Sequence, residues 1–327
     1  MRMRPILGNG LDPHAGVTVY LRRMEPTSVL VVGAGGAVGT ALADELLPDH
    51  EAGRIRLVAT ARRPESARRL RERGIEVRRL DLDEAETGGL DAVLPVFDGI
   101  ERVFLLTGYD VRMLAQSKAA VDAARAAGAA HVVHVGVNAA PDTTIVHFAW
   151  HQLVEAYIER SGLGYTHLRP SAFMQSLRLG VEQPGVLTHF VGDGRPNWVD
   201  VTDIAAVAAA VLRDPAAHAG QAYDLAAESA SPHEIAALLA EVTGRPWRYR
   251  PAEPEVFYRR MTAAGGDPVY LACVRNVFER TRNGTLTDPP ITDHIERVTG
   301  RPATTLRAFV LRNRELFDSG EALSPAR

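Results

Sequence analysis

Short apolar runs alternate with longer, helix-like stretches between residues 28 and 170. Six of the apolar runs have the length and composition of buried strands: 29–32, 56–60, 75–80, 103–106, 131–135 and 165–168. The stretches between them carry apolar residues at helical spacing: 40–47, 64–74, 90–97, 111–127 and 145–161. Strands that alternate with helices predict a parallel, doubly wound α/β sheet.

The pattern changes after Pro170. Residues 171–200 are rich in glycine and proline and read as loops, whereas 203–212, 232–242 and much of 251–327 read as helices. We therefore expect one domain at 28–170 and a smaller, mostly helical lobe at 171–327, intertwined with the first and closing over its ligand. Residues 1–27 show no periodicity and are expected to form a mobile extension.

A glycine turn joins the first strand to its helix. Gly33, Gly36 and Gly39 follow the apolar run at 29–32 with the spacing G-x-x-G-x-x-G; Val38 excludes a strict G-x-G-x-x-G. Glycines let the backbone approach a phosphate, and free amides at a helix N-terminus attract it. The turn predicts a Rossmann-type dinucleotide site. Its expected contacts are Gly33, Gly35, Gly36, Ala37, Val38 and Gly39.

The end of the second strand bears on the choice of cofactor. An acidic residue there favours NAD, but this chain has Arg62 and Arg63, which suit the 2′-phosphate of NADP. The alternative is that the two arginines only cap a solvated loop. Asp81 and Leu82, which follow the third strand, are placed to contact the adenine.

Composition limits the classes of partner. The 327 residues are 46% hydrophobic and 24% charged, with a net charge of −3, so nothing attracts the chain in bulk to nucleic acid or to anionic membranes. No apolar run approaches the ~20 residues of a membrane span, and Met1 to Arg4 lack a signal-peptide core. The single cysteine, Cys273, fits a reducing cytoplasm. A small-molecule substrate is therefore the expected partner, and the oligomeric state, homodimer or monomer, stays open.

Several motifs together resemble the NmrA-like group of atypical short-chain dehydrogenases over roughly residues 28–250. Besides the glycine and arginine turns, they are Asp81-Leu82-Asp83, Val103-Phe104-Leu105-Leu106-Thr107, Ser161-Gly162-Leu163, Leu168-Arg169-Pro170-Ser171-Ala172-Phe173-Met174 and Trp198-Val199-Asp200-Val201-Thr202-Asp203-Ile204-Ala205. The resemblance implies NAD(P)-dependent quinone, carbonyl or isoflavone-type reductases, or redox-sensing regulators. It also implies a nicotinamide site bordered by Thr107, Gly108 and the Leu168-Arg169-Pro170 loop. Val135 and Gly136, at the end of the fifth strand, are further expected cofactor contacts. Phe173 and Met174 would face the substrate, with ordinary core packing as the alternative.

The catalytic residues depart from the wider superfamily, which uses a serine and a Tyr-x-x-x-Lys pair. Lys118 is the only lysine and no tyrosine precedes it by four residues, while Gly136 and Val137 stand where the serine is expected. Aligning the helix on Glu155 puts His147 at the tyrosine position and His151 at the lysine position.

Spacing of four residues puts these two imidazoles on one helical face. His147 is the candidate proton donor, with an ordinary pKa of about 6.5, and His151 the candidate partner of the nicotinamide ribose. The alternative is that both only line or shape a pocket. A helical His-x-x-x-His pair can bind zinc, but metal sites usually need a third ligand and an open position. Phe148 also stands where His-Glu-x-x-His has its glutamate, so no metal is expected.

Other side chains complete the predicted site. An apolar cleft that accepts aromatic substrates is expected from Trp150, Phe173, Met174, Phe190 and Trp198. Two acidic residues, Asp200 and Asp203, are expected to cap the following helix. The strand residues His131 and His134 are expected to be hydrogen-bonded core histidines.

Three hypotheses follow. The first is an NADPH-dependent reductase of a small conjugated or aromatic carbonyl, quinone or polyketide-like substrate, which works without the Ser-Tyr-Lys set. The second is a regulatory protein that senses NADP(H) without turnover. The third is a non-redox isomerase, dehydratase or cyclase that uses the histidine pair as acid and base.

Overall fold

The computed structural model describes residues 26–318. The extension expected at 1–27 lies outside this range except for Pro26 and Thr27. The strands are β1 (Thr27–Val32), β2 (Ile55–Thr60), β3 (Glu76–Arg78), β4 (Arg102–Leu105), β5 (His131–Val135), β6 (Gly164–Pro170), β7 (Ala172–Phe173), β8 (Val181–Gln183), β9 (Val186–His189), β10 (Asn197–Val199), β11 (Gln221–Leu225), β12 (Glu228–Ser229) and β13 (Arg248–Pro251). The α-helices are α1 (Ala37–Glu51), α2 (Pro64–Glu72), α3 (Glu84–Gly88), α4 (Met113–Ala126), α5 (Val146–Arg160), α6 (Val201–Arg213), α7 (Pro215–His218), α8 (Pro232–Thr243), α9 (Pro254–Ala263), α10 (Pro268–Arg282), α11 (His294–Thr299), α12 (Leu306–Arg312) and α13 (Arg314–Asp318). Three 3₁₀ helices lie at Leu90–Ala92, Leu94–Phe97 and Met174–Gly180.

Seven parallel strands form the central sheet in the order β11-β6-β5-β4-β1-β2-β3. The six strands expected from the sequence are all present, and the doubly wound α/β fold is confirmed. The strand order reverses between β1 and β4, which is where such sheets bind ligands, outside the carboxyl ends of the strands.

Alternating side chains of β1 supply both faces of the sheet. Val29 and Val31 join a buried cluster with α1, α2 and α6, whereas Leu30 and Val32 join the cluster with α4 and α5 on the opposite face. Because both faces are covered, the strand reads as a continuous apolar run rather than an alternating one. The glycine turn therefore begins from a rigid, fully buried element.

Residues beyond 170 contribute to two layers of the molecule. Helix α6 buries small alanines against the α1 face, and β11 pairs with β6 as the seventh strand of the sheet. The 3₁₀ helix Met174–Gly180, the strands β8 to β10 and the helices α8, α12 and α13 build a third core around Met174, Trp198 and Phe309. The expected helical content is confirmed by α9 to α13.

The stretch 171–200 differs from the loops expected there. It contains the short strands β7 to β10 and the 3₁₀ helix Met174–Gly180, arranged with β12 and β13 in two three-stranded sheets. Strands of two to four residues are too short to show a periodicity. The helix expected at 90–97 is two 3₁₀ turns, because Pro95 cannot donate an interior helical hydrogen bond.

Candidate functional site

The glycine turn has the close backbone approaches that its spacing predicts. Gly33 has φ +86°, and a Cβ there would lie 2.6 Å from the Leu106 carbonyl oxygen at the end of β4. A Cβ on Gly39 would lie 2.3 Å from the Gly33 carbonyl oxygen, so only glycine fits where α1 crosses the turn. Gly36 caps α1 without a side-chain hydrogen bond. The first amides of the helix are thus left for an anion.

The arginine turn lies beside this cradle. The Thr60 hydroxyl accepts a 3.4 Å hydrogen bond from the Gly33 amide, which joins the end of β2 to the glycine turn. Arg62 and Arg63 are exposed, and within residues 26–318 neither guanidinium has a hydrogen bond or an ion pair. Two unpartnered guanidinium groups next to a phosphate cradle fit the 2′-phosphate of NADP.

Other predicted cofactor residues lie along the same edge of the sheet. Thr107 and Gly108 follow β4, and the Thr107 hydroxyl is 3.5 Å from that of Ser117 on α4. Val135 ends β5, Pro170 ends β6, and the Gly136 amide donates a 2.8 Å hydrogen bond to the Leu168 carbonyl. The structure therefore brings these residues to the carboxyl edge that also carries the glycine turn.

Asp81 and Leu82 lie after β3, where the chain turns toward α3. Both are partly buried, and Asp81 accepts a 3.3 Å hydrogen bond from the Asp83 amide. Asp83 in turn contacts α4, because its carboxylate accepts a hydrogen bond of 2.8 Å from Gln116. This position at the far side of the β1–β2 pair suits the adenine end of a dinucleotide.

An apolar cavity of about 360 Å³ opens where β5 and β6 end. On the side of the sheet the cavity is lined by Val137, Asn138 and Ser171, which follow β5 and β6. The Asn138 side-chain amide donates a 3.2 Å hydrogen bond to the Ser171 hydroxyl. The opposite wall is aromatic: ring centroids of Phe190, Phe257 and Phe278 lie 5.0–5.4 Å apart. A volume and lining of this kind suit a small flat ligand.

The predicted substrate residues divide between the cavity and the cores. Trp198 and Phe190 line the cavity. Met174 is fully buried in the third core and does not line the cavity, so its contact with substrate stays a prediction. Phe173 packs against the α1 face of the sheet and Trp150 against the α5 face, and neither lines the cavity.

Sequence reasoning missed the residues that come to this wall from distant helices. Phe257 lies on α9 and Phe278 on α10, far along the chain from β5 and β6. His189, which ends β9, packs its ring against Trp198 at 5.8 Å. No local pattern distinguishes such residues from an ordinary helix core.

His147 is buried rather than open to solvent. It is 6% exposed, and its ring packs edge-on against Tyr270 of α10, with the centroids 5.4 Å apart. Burial, with a smaller contribution from His151, lowers the pKa of His147 to about 4. Near neutral pH the ring is therefore almost entirely an uncharged imidazole, whereas a histidine with the ordinary pKa would be partly protonated and could act as the proton donor.

His151 continues into a row of buried imidazoles. Its ring centroid lies 6.1 Å from that of His134 on β5, which lies 5.6 Å from that of His167 on β6. Burial lowers the pKa of His151 to about 4. The Nδ1 atoms of all three rings are buried without a partner within residues 26–318. For His134 this corrects the expectation of a hydrogen-bonded core histidine, whereas His131 meets the Thr166 hydroxyl at 3.0 Å.

One group in this row has ligand atoms close enough for a cation: His134, Glu155 and His167 have theirs within 4.8 Å of one another. The Glu155 carboxylate, however, is bound by the Arg169 guanidinium at 2.6 Å. That positive charge opposes a cation at the same carboxylate. The absence of a metal site stays a prediction.

The remaining expectations concern Asp200 and Asp203. Asp200 caps α6, since its carboxylate accepts a 2.9 Å hydrogen bond from the Thr202 amide, as predicted. Asp203, one turn further on, instead binds the Thr304 amide and hydroxyl at 2.7 and 2.9 Å. Both therefore stabilise the fold at the start of α6.

The fold and the site together define an NAD(P)-binding protein of the short-chain dehydrogenase type, with an apolar cavity beside its nucleotide cradle. The chain belongs to the NmrA-like family, whose profile matches residues 25–307.

Similar proteins of known activity span nearly the whole chain. It is 31% identical to the NAD(P)H azoreductase of Xenophilus azovorans, covering 86% of this chain and 96% of that one. It is 32% identical to the (4-alkanoyl-5-oxo-2,5-dihydrofuran-3-yl)methyl phosphate reductase of Streptomyces griseus, covering 88% and 99%. The NADPH-dependent quinone oxidoreductase of Escherichia coli, solved with NADPH, superposes with a TM-score of 0.72 at 25% identity, covering 88% and 99%. The predicted class, an NAD(P)H-dependent oxidoreductase, and the predicted cofactor, NADP(H), are confirmed.

Between residues 26 and 318, no helix has both the length and the apolar character needed to span a membrane.

Proposed function

We propose that the protein is an NADPH-dependent reductase of a small, flat, conjugated acceptor such as a quinone, an enone or an aromatic polyketide-like compound. The observation that carries this proposal is the aromatic-walled cavity at the ends of β5 and β6, on the edge of the sheet that carries the glycine turn. The relatives named for azo-compound, quinone and furanone-phosphate reduction support it, because their substrates are conjugated.

The chain's own residues account for the cofactor. The amides of Gly36 to Val38 would bind the pyrophosphate, and Arg62 and Arg63 would bind the 2′-phosphate, which favours NADPH over NADH. When bound, NADPH supplies the hydride for the reaction. The expected role of the cavity is to hold the acceptor flat and exclude water while this transfer takes place.

The proton has two candidate sources, His147 and solvent. With a pKa of about 4, only roughly one His147 ring in a thousand is charged at pH 7. Hydride addition to a conjugated acceptor leaves a delocalised anion, so the missing tyrosine acid costs less than it would for a simple ketone. We assign the proton to solvent. For neutral His147, which lies beside the cavity residue Phe148 but does not itself line the cavity, we propose the role of a hydrogen-bond donor that supports the site.

Steady-state oxidation of NADPH with a panel of quinones, enones and azo compounds tests the proposal. We expect turnover with at least one class and a lower KM for NADPH than for NADH. Tight binding of NADPH without turnover of any acceptor would contradict it.

That negative outcome would favour the second candidate, an NADP(H)-sensing regulator, which the absence of the Ser-Tyr-Lys set already supports. The third, a non-redox acid–base enzyme, is less well supported, because burial lowers the pKa of both His147 and His151 to about 4. The pair then holds no charged acid at neutral pH.

A further inference from the structure

Arg178 is one of the few charged side chains in the mostly apolar lining of the cavity. The wall near it is apolar or aromatic, with Leu179, Phe190 and Val191. Arg178 comes from the 3₁₀ helix Met174–Gly180, directly before β8, and it is partly buried. A cation in such a wall needs an explanation, because apolar surroundings disfavour an unpaired charge.

The backbone that carries Arg178 is held on both sides. Leu177 is fully buried in the third core. Gly180 approaches β9 so closely that a Cβ would lie 2.2 Å from the Thr188 carbonyl oxygen. The 3₁₀ helix is thus anchored to the small sheet, so the start of the Arg178 side chain is fixed relative to the cavity.

Within residues 26–318, the Arg178 guanidinium has no ion pair or hydrogen bond. Other partly buried arginines of the chain do have carboxylate partners: Arg169 binds Glu155 and Arg275 binds Glu255, at 2.6 and 2.8 Å. Burial, with no opposing carboxylate, lowers the pKa of Arg178 from its ordinary value. An anion brought to this position would supply the missing partner.

Two further charged residues line the cavity. Arg260, on α9, has a partner of its own. Asp288 lies where this cavity meets a second, polar one, and its carboxylate accepts a 2.6 Å hydrogen bond from the Asn197 amide. Asp288 lines both cavities, whereas Arg178 lines only the first, and the two have no ion pair with each other among the described residues.

We propose that Arg178 binds an anionic substituent, a carboxylate, sulfonate or phosphate, carried by the flat acceptor. The ring system would lie against the aromatic wall, with its anionic group toward the guanidinium. This specificity rests on the proposed reductase function, but the anion site itself is testable without turnover.

Kinetics of matched acceptors test the specificity. We compare 1,4-naphthoquinone with 1,4-naphthoquinone-2-sulfonate in the unmodified protein and in Arg178→Met, Arg178→Lys and Arg248→Met. We expect Arg178→Met to raise the KM of the sulfonate about 10- to 100-fold, the contribution of one charged hydrogen bond, and to leave that of the neutral quinone within about twofold. Arg178→Lys should recover part of the loss, because it keeps the charge but not the bidentate geometry.

Arg248→Met is the matched control, because Arg248 is exposed on β13 and lies outside the cavity wall. It should change neither KM. Comparing variants on each acceptor separates recognition from the different intrinsic reactivity of the two quinones. Equal losses for both acceptors in Arg178→Met would overturn the proposal.

Binding of redox-inert ligands separates this proposal from the proposed function. Calorimetry on the NADP⁺-loaded protein should show that 2-naphthalenesulfonate binds at least tenfold more tightly than 2-naphthol, and that Arg178→Met removes the difference. This result without turnover of any acceptor would leave the anion site standing and contradict the reductase. Turnover of quinones together with equal binding of the two naphthalenes would support the reductase and contradict the anion site.

Discussion

At the scale of single residues, His147 shows why a position in a motif does not fix its chemistry. The register of the sequence predicts that the histidine stands at the helical position of the usual tyrosine, but Tyr270 and Phe148 pack against its ring and bury it. Its Nδ1 is buried without a partner among the described residues. An uncharged ring can donate one hydrogen bond and cannot act as a strong acid.

The pH profile of kcat distinguishes the two roles of His147. Since its pKa lies near 4, the ring stays neutral from pH 5.5 to 8, and we expect kcat for a quinone to be flat over that range. His147→Gln, which keeps a neutral donor, should lower kcat by less than about tenfold. The exposed His233 provides a control substitution, His233→Gln, without effect. A rate that falls through an apparent pKa near 6.5 as pH rises would show that the charged acid is required.

At the scale of elements, the turn after β2 is where cofactor choice is tested. Arg62 and Arg63 precede α2, which begins with Pro64 and carries Glu65 in its first turn, as helix starts prefer. Because both guanidinium groups are exposed and unpaired among the described residues, their replacement should leave the fold intact.

We expect the double substitution Arg62→Gln, Arg63→Gln to raise the KM for NADPH by about 10- to 100-fold, since charged hydrogen bonds to a phosphate are lost. The KM for NADH, which lacks that phosphate, should change by less than about threefold. Arg68→Gln on the outer face of α2 is the control, since Arg68 pairs only with Glu72 at 3.7 Å. Equal losses with both nucleotides would contradict a role in 2′-phosphate recognition.

Elements with strong periodicity or required turn chemistry could be predicted from the sequence. The six strands, the glycine turn and the helix at 232–242 follow from local patterns, and α8 indeed begins with Ser231 and Glu234 in a capping box. Strand β11 could not be predicted, because Gln221 to Leu225 show no clear strand pattern and their extended conformation depends on pairing with β6. The aromatic cavity wall also could not be predicted, because Phe257 and Phe278 contact Phe190 only through tertiary packing.

At the scale of the whole molecule, buried histidines recur in every layer. Burial lowers the pKa below 6.5 in seven of the described histidines: His131, His134, His147, His151, His167, His189 and His218. Two carboxyls behave oppositely, because burial raises the pKa of Asp203 and Asp288 and their protonation favours the folded state. The histidines outnumber them, so acid is expected to destabilise the molecule.

The sign of this effect follows from proton linkage. A histidine that titrates near 4 in the folded state and near 6.5 when unfolded binds its proton only on unfolding between those pH values. Its contribution to stability is therefore complete above pH 6.5 and decreases as the pH drops toward 4.

We expect the free energy of unfolding, measured with urea, to decrease steeply from pH 6.5 to 4.5. His189→Phe, set among Trp198, Phe190 and Phe278, should reduce the slope by about one proton, or ~1.4 kcal/mol per pH unit. His233→Phe, whose side chain is 64% exposed, should leave the slope unchanged. Constant stability across this range would mean that these rings are already protonated, or hydrated, in the folded protein.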